Sequence, residues 1–210
     1  MTEDSPSTAP LVIGVLALQG AYEAHARTLR ELGAEPRLVR IPDHLQGLDG
    51  LIMPGGESTT MLKFLERNGF FDLLKTFAEK TPTFGTCAGA ILLATDVEHP
   101  PQRSLGALPM TVERNAYGRQ IDSAIIESQT ELPGGPLEMV FIRAPRIRST
   151  SPEVETLASR DGFPTLVRYR HLMAATFHPE LSGDTRVHQL FLDTVLRHKQ
   201  AQVSTGSARR

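Results

Sequence analysis

Gly85-Thr86-Cys87-Ala88-Gly89 decides the fold. The spacing G-x-nucleophile-x-G marks a tight, strained turn that carries a reactive side chain from the end of a strand into a helix. Flanking glycines let the backbone bend sharply and approach a substrate closely. A helix starting at Ala88 aims free first-turn N–H groups at the sulfur, and their dipoles favour thiolate over thiol. Cys87 is the only cysteine in the chain. In isolation the pentapeptide also fits a blander reading, a small buried hydrophobe, so the surrounding sequence has to arbitrate.

An elbow of this kind needs a buried strand beside it. Residues 11–18 (LVIGVLAL) form a nearly unbroken apolar run, as a strand covered on both faces of a parallel sheet requires. Helical spacing over 21–32 ends at Gly33, and 37–41 and 50–53 read as further strands. Pro54-Gly55-Gly56 forces a turn, Ser58 is placed to cap a helix through 61–67, 70–79 repeats the helical period, and 83–84 feeds the elbow. Alternation of strand and helix predicts an α/β fold: a three-layer, doubly wound, mostly parallel sheet. Between 106 and 172 the pattern changes to short strand candidates at 107–112, 121–127, 137–142 and 165–169, separated by Pro- and Gly-containing turns. These predict an antiparallel edge section. A late strand at 172–177 and an amphipathic helix at 187–196 close the chain. The expected organisation is a flexible extension over 1–10, one domain over 11–198 and a flexible tail over 199–210.

Composition narrows the function. With 22 basic and 24 acidic residues among 210, the formal charge is −2, which gives no electrostatic footprint for nucleic acid or an anionic membrane. One cysteine cannot form an intramolecular disulfide, and no C-x-x-C or Cys/His cluster points to zinc, so no metal or cofactor is expected. Neither a signal peptide nor a membrane span is legible. A cytoplasmic protein acting on a small neutral or zwitterionic ligand fits best.

A cysteine nucleophile needs a base, and the base needs an orienting acceptor. His178-Pro179-Glu180 offers both. If the segment continues extended beyond the strand at 172–177, positions 178 and 180 point to one side. Acyl transfer also needs donors where charge develops on the substrate oxygen. The Ala88 N–H is one candidate. The other is the Gly55-Gly56 loop, whose glycines permit a backbone flip that presents the Gly56 N–H. A phosphate-binding loop fits less well, because no Lys-Ser/Thr pair follows these glycines. The remaining histidines, His25, His44, His99, His171, His188 and His198, read as surface or structural groups, and the loop 99–103 as variable and remote from the site.

These residues resemble class I glutamine amidotransferases, whose glutaminase domains carry a Cys-His-Glu triad on an α/β sheet. A longer series narrows the resemblance: Leu18-Gln19-Gly20, Pro54-Gly55-Gly56-Glu57-Ser58-Thr59-Thr60, Phe84-Gly85-Thr86-Cys87-Ala88-Gly89, Val112-Glu113-Arg114-Asn115, Tyr117-Gly118-Arg119-Gln120, Phe141-Ile142-Arg143-Ala144-Pro145 and Phe177-His178-Pro179-Glu180-Leu181. In this order they are similar to the glutaminase subunits of pyridoxal 5′-phosphate synthases, from residue 11 to about 198.

The resemblance implies that Cys87 attacks the side-chain amide of glutamine, His178 serves as acid and base, and Glu180 orients His178. It implies that Gly56, Glu57, Ser58, Arg114, Ile142 and Arg143 contact glutamine, and that Gly56 and Ala88 form the oxyanion hole. It further implies a hetero-oligomer with a (β/α)8-barrel synthase subunit, arranged in the family as a dodecameric core with glutaminases attached. That partner consumes the ammonia and activates the glutaminase by reorienting the Gly55-Gly56 loop. Two other readings stay open on the sequence: the glutaminase subunit of another synthase, such as one making imidazole glycerol phosphate, and a cysteine peptidase or chaperone-like protein on a related elbow fold.

Overall fold

The computed structural model describes residues 9–116 and 123–207. Its main sheet joins β1 (Val12–Leu16), β2 (Glu35–Val39), β3 (Gly50–Met53), β4 (Thr83–Thr86), β10 (Glu155–Arg160), β11 (Phe163–Tyr169) and β12 (Leu172–Ala175). The spatial order is β10-β11-β12-β4-β3-β1-β2. From β12 to β2 every pairing is parallel, whereas β10 and β11 are antiparallel, so the expected antiparallel edge is present.

Strands β3, β4 and β12 are buried at every position, as a sheet covered on both faces demands. Alternate residues feed two cores. Leu16, Leu51, Met53, Leu172 and Ala174 face α2 (Ser58–Leu65), α3 (Phe70–Lys80) and α4 (Ala88–Leu93), where Phe70 and Phe71 are core residues. Ile13, Val15, Ile52, Phe84 and Met173 face α1 (Tyr22–Glu31) and α5 (Arg186–Ser207). This period-two sorting of side chains yields the three layers.

Four local expectations need correction. The first concerns β6 (Leu108–Glu113), β7 (Ser123–Ser128) and β8 (Leu137–Ile142), which were placed on the sheet edge but belong to two separate small sheets. One is β5-β6-β9, formed with β5 (Ala94–Glu98) and β9 (Arg146–Thr150), and the other is the β7-β8 ribbon. β8 supplies the buried core residues of that ribbon, Leu137, Met139 and Phe141, and β7 adds the partly buried Ile126. Second, strands β5, β9 and β10 were not foreseen, because ATDVE, RIRST and ETLASR carry too few apolar residues to alternate; long-range pairing makes them. Third, α2 is capped by the Glu57 carboxylate, which accepts from the backbone N–H groups of Thr59 and Thr60, and not by Ser58. Fourth, α5 continues through 199–207, which the sequence assigned to a tail. His198 Nε2 lies 3.0 Å from the Lys80 carbonyl at the end of α3 and Lys199 Nζ 2.7 Å from Asp49 Oδ1 in the loop before β3, tying the helix down past its predicted end.

The elbow rests on direct backbone contact. A Cβ built on Gly89 would sit 1.9 Å from the Met53 carbonyl oxygen, and one on Gly85 would sit 2.5 Å from the Gly89 carbonyl. Gly89→Ala should therefore cost about 1–3 kcal/mol of stability through overpacking. Gly33→Ala, at φ +79° with nothing within 4 Å, should cost only the strain of a left-handed residue, about 1 kcal/mol. Urea unfolding of both variants checks this, and Gly89→Ala must be the worse.

Candidate active site

Cys87 occupies the N-cap position of α4 with φ 48° and ψ −103°, a conformation L-residues rarely adopt. Its N–H donates to the Ala175 carbonyl (2.8 Å) at the end of β12, and its carbonyl accepts from Ile91 (3.2 Å). These bonds and the glycine contacts hold the strained turn in place. Ala88, as the first residue of α4, has a backbone N–H without a helical acceptor.

Past β12 the chain delivers His178, whose backbone N–H donates to the Val140 carbonyl at 2.8 Å and so pins it to β8. The extended course expected for 178–180 is not what forms. Pro179–Leu181 make a single 3-10 turn, with Leu181 N–H donating to the His178 carbonyl (3.2 Å). Pro at its first position suits such a turn. The turn folds Glu180 back so that His178 Nδ1 lies 2.8 Å from Glu180 Oε1, both side chains buried. An ionised carboxylate only accepts, which assigns the Nδ1 proton to the histidine. Burial opposes the His178 charge, but hydrogen bonding with Cys87 and Glu180 outweighs it and holds its pKa up at about 10. Burial likewise opposes the Glu180 charge, and His25 and His178 outweigh that, keeping its carboxyl below its ordinary pKa.

A cleft of about 530 Å³ opens above Cys87 and His178. Gly56, Glu57, Ser58, Arg114, Ile142 and Arg143 line it, so all six residues expected to contact the small ligand converge on the nucleophile. Asn115 and Pro145 join them without having been singled out as ligand contacts. Arg143 and Asn115 have φ of 45° and 54°, so backbone strain concentrates here along with Cys87. The Ile142 carbonyl lies 4.0 Å from Cys87 Sγ. Arg114 is anchored by Thr59 Oγ1 (2.9 Å) and lies 3.8 Å from Glu57 Oε1. Burial opposes the Glu57 charge, yet the hydrogen bonds from Thr60 and Thr59 together outweigh it and hold its pKa at about 2. Gly55 is obligatory for a different reason, since a Cβ there would fall 2.3 Å from His178 Cε1.

The loop at 99–103 does touch the site, against expectation: Ser58 Oγ donates to Gln102 Oε1 at 3.0 Å. Nothing in its composition signals that reach. Tyr117-Gly118-Arg119-Gln120 lies outside the described residues. Sequence reasoning also passed over two buried histidines behind the site. His25 Nε2 lies 3.3 Å from Glu180 Oε2 and 3.2 Å from Thr86 Oγ1, and His25 Nδ1 lies 2.9 Å from His188 Nε2. A usable signal existed: His25 shares a helical face with Ala26 and Leu29, and His188 with Val187, Phe191 and Val195, all buried.

An elbow cysteine beside a His-Glu pair on a mostly parallel sheet defines a glutamine amidotransferase-type fold, and comparison with known proteins agrees. A crystal structure of a glutamine amidotransferase superposes with a TM-score of 0.82 at 44% identity, covering 87% of this chain and 98% of that one. A second glutamine amidotransferase structure, from Thermotoga maritima, shares the fold alone, with a TM-score of 0.57 at 14% identity over 91% of this chain and 86% of that one. The SNO glutamine amidotransferase family matches over residues 15–197. The chain belongs to that family. Among its relatives, "Pyridoxal 5′-phosphate synthase subunit PdxT" of Koribacter versatilis is 59% identical over 183 residues, covering 87% of this chain and 95% of the relative. The subunit of the same name from Fervidobacterium nodosum is 43% identical over 193 residues, covering 90% and 100%.

The buried histidines make stability depend on pH. Burial, reinforced by His25, pushes the His188 pKa down to about 3, and burial also lowers that of His25. An unfolded histidine titrates near pH 6.5. Between about 6.5 and 3 the unfolded chain thus binds more protons, and this stability is full above 6.5 and lost as pH falls. Glu180, lowered, acts in the same direction, while raised His178 contributes no slope below 6.5. The urea midpoint should fall from pH 7 to pH 4.5, and less steeply in His188→Gln.

Proposed function

We infer that this chain is the glutamine-hydrolysing subunit of a pyridoxal 5′-phosphate synthase, an enzyme that releases ammonia from L-glutamine for vitamin B6 synthesis. The observation that carries this reading is 59% identity across 87% of the chain to a subunit of that name, with Cys87, His178 and Glu180 assembled at one elbow.

In the proposed mechanism, Cys87 Sγ attacks the side-chain carbonyl carbon of glutamine. The N–H groups of Ala88 and Gly56 receive the charge that develops on oxygen. His178 passes a proton to the departing nitrogen, which leaves as ammonia, and a γ-glutamyl thioester remains. Water, deprotonated by His178, then attacks the thioester; glutamate leaves and the sulfur is regenerated. Glu180 holds the imidazole by Nδ1 and stabilises its charged form. Arg114 and Arg143 supply guanidinium donors for the α-carboxylate, while Glu57, Ser58 and the Ile142 carbonyl offer acceptors for the α-ammonium. No cofactor takes part in these steps.

Ammonia is useful only where a second site consumes it, and we assign that site to a (β/α)8-barrel partner in a hetero-oligomer with a dodecameric synthase core. The Gly55-Gly56 loop is the proposed gate. Its Gly55 carbonyl accepts a long 3.4 Å bond from Ala21 N–H, weak enough to exchange when a partner docks. A reducing cytoplasm suits the unpaired Cys87.

Glutamate release from glutamine, measured with and without the barrel subunit, tests the reading. Activity should rise on mixing and vanish in Cys87→Ala, while Glu180→Ala keeps a residue of it. Arg114→Ala should raise KM for glutamine about tenfold or more, the worth of a charge-assisted hydrogen bond. No Cys87-dependent release in either condition would overturn the assignment.

A further inference from the structure

The two buried histidines behind the triad carry an inference of their own. Among the described residues, His188 Nδ1 is buried with no hydrogen-bond partner. A buried N–H with nothing to receive it is costlier and rarer than an idle lone pair, so the His188 proton sits on Nε2. That proton points at His25 Nδ1, 2.9 Å away, which must then be the acceptor. A neutral His25 consequently carries its own proton on Nε2, donated to Thr86 Oγ1 at 3.2 Å, with Glu180 Oε2 3.3 Å from the same nitrogen. The opposite arrangement fails twice. It strands an N–H on His188 and sets the lone pair of His25 Nε2 against a carboxylate oxygen.

The chain of protons thus runs one way, from His188 Nε2–H to His25 Nδ1 and from His25 Nε2–H to Thr86 Oγ1, with the same N–H edge 3.3 Å from Glu180 Oε2. Among the described residues, Oε2 of Glu180 is buried with no hydrogen-bond partner, so the His25 ring at 3.3 Å is an electrostatic neighbour that answers its charge. Its other oxygen faces His178 Nδ1 at 2.8 Å. Rotation of the carboxylate would break both contacts together.

We propose that His25 is a positioning residue for glutamine hydrolysis. Held in one tautomer by His188, it fixes the Glu180 carboxylate from behind, so that His178 keeps its proton on Nδ1 and presents Nε2 to Cys87. The proposal rests on the triad assigned above. It goes beyond it by making the acid-base machinery five side chains deep, drawn from α1, α4, α5 and the turn after β12. His25 and His188 do not line the cleft, so the effect reaches substrate only through Glu180. The titratable groups facing His25 are Glu180, His178 and His188; the neighbouring elements add Thr86 and the ring of Phe84, which meets His188 edge-on.

Glutaminase kinetics of His25→Leu and His25→Gln in the complex with the barrel subunit, against pH, test this. His25→Leu should lower kcat about 10- to 100-fold, the cost of leaving a buried charge without its polar neighbour, with KM for glutamine unchanged. Loss of the donor makes Glu180 easier to protonate, so the acid limb of the kcat profile moves to higher pH. His25→Gln, whose amide can donate to Glu180, should recover much of kcat and return the limb. Histidine ring 15N spectra of the wild-type chain read the tautomers without reference to activity, and should place protons on Nε2 of both His25 and His188. Wild-type kcat and pH profile in His25→Leu, or a proton on His25 Nδ1, would overturn the inference while leaving the glutaminase assignment intact. Absence of wild-type glutamate release would instead strike that assignment.

Discussion

Backbone lying on backbone is the constraint from which the rest of the site follows. The first turn of α4 packs so closely on β3 and β4 that neither Gly85 nor Gly89 has space for a methyl group. With the helix seated there, the connecting residue must turn within one peptide, and Cys87 is driven to positive φ. The strain is offset by bonds from Cys87 to Ala175 and Ile91 and by burial of the entire α4 helix. A nucleophile held this way cannot drift, and its position is set by the sheet.

The second half of the site depends on a buried charge. Glu180 is 2% exposed, and an unpaired carboxylate there would be protonated or would unfold the turn. His178 on one oxygen and His25 on the other keep it ionised. Parallel pairing of β12 with β4 puts His178 beside the elbow, while α1 and α5 close over the back. The ligand face is built differently, from loop residues after β3, β6 and β8, where strain at Asn115 and Arg143 gathers. Rigid sheet ends thus carry the acid-base groups, and loops carry the groups suited to recognition.

Legibility in the sequence followed the physics of each element. Strands β1, β3 and β12 stand out because burial on both faces demands continuous apolar runs. Strands β5, β9 and β10 do not, because their partners lie 14 or more residues away or across a bulged pairing, and no local pattern encodes that. Glu57 took the cap that Ser58 was expected to supply, since its longer side chain reaches two N–H groups at once. The C-terminal helix outran its apolar period because His198 and Lys199 find partners at the end of α3 and in the loop before β3.

By itself the sequence determined the α/β class and the glycine-framed elbow around Cys87, because glycine spacing and strand hydrophobicity act over a few residues, and it offered His178 and Glu180 as the proposed base and its orienting group. Only the tertiary structure decided that Glu180 folds back through a 3-10 turn, that Gln102 reaches Ser58, and that His25 and His188 stand behind the triad. The Ser58–Gln102 and His25–His188 contacts join residues 44 and 163 positions apart. A buried histidine on an apolar helix face reads locally as core, and it acquires a chemical role only from the carboxylate that the fold brings against it.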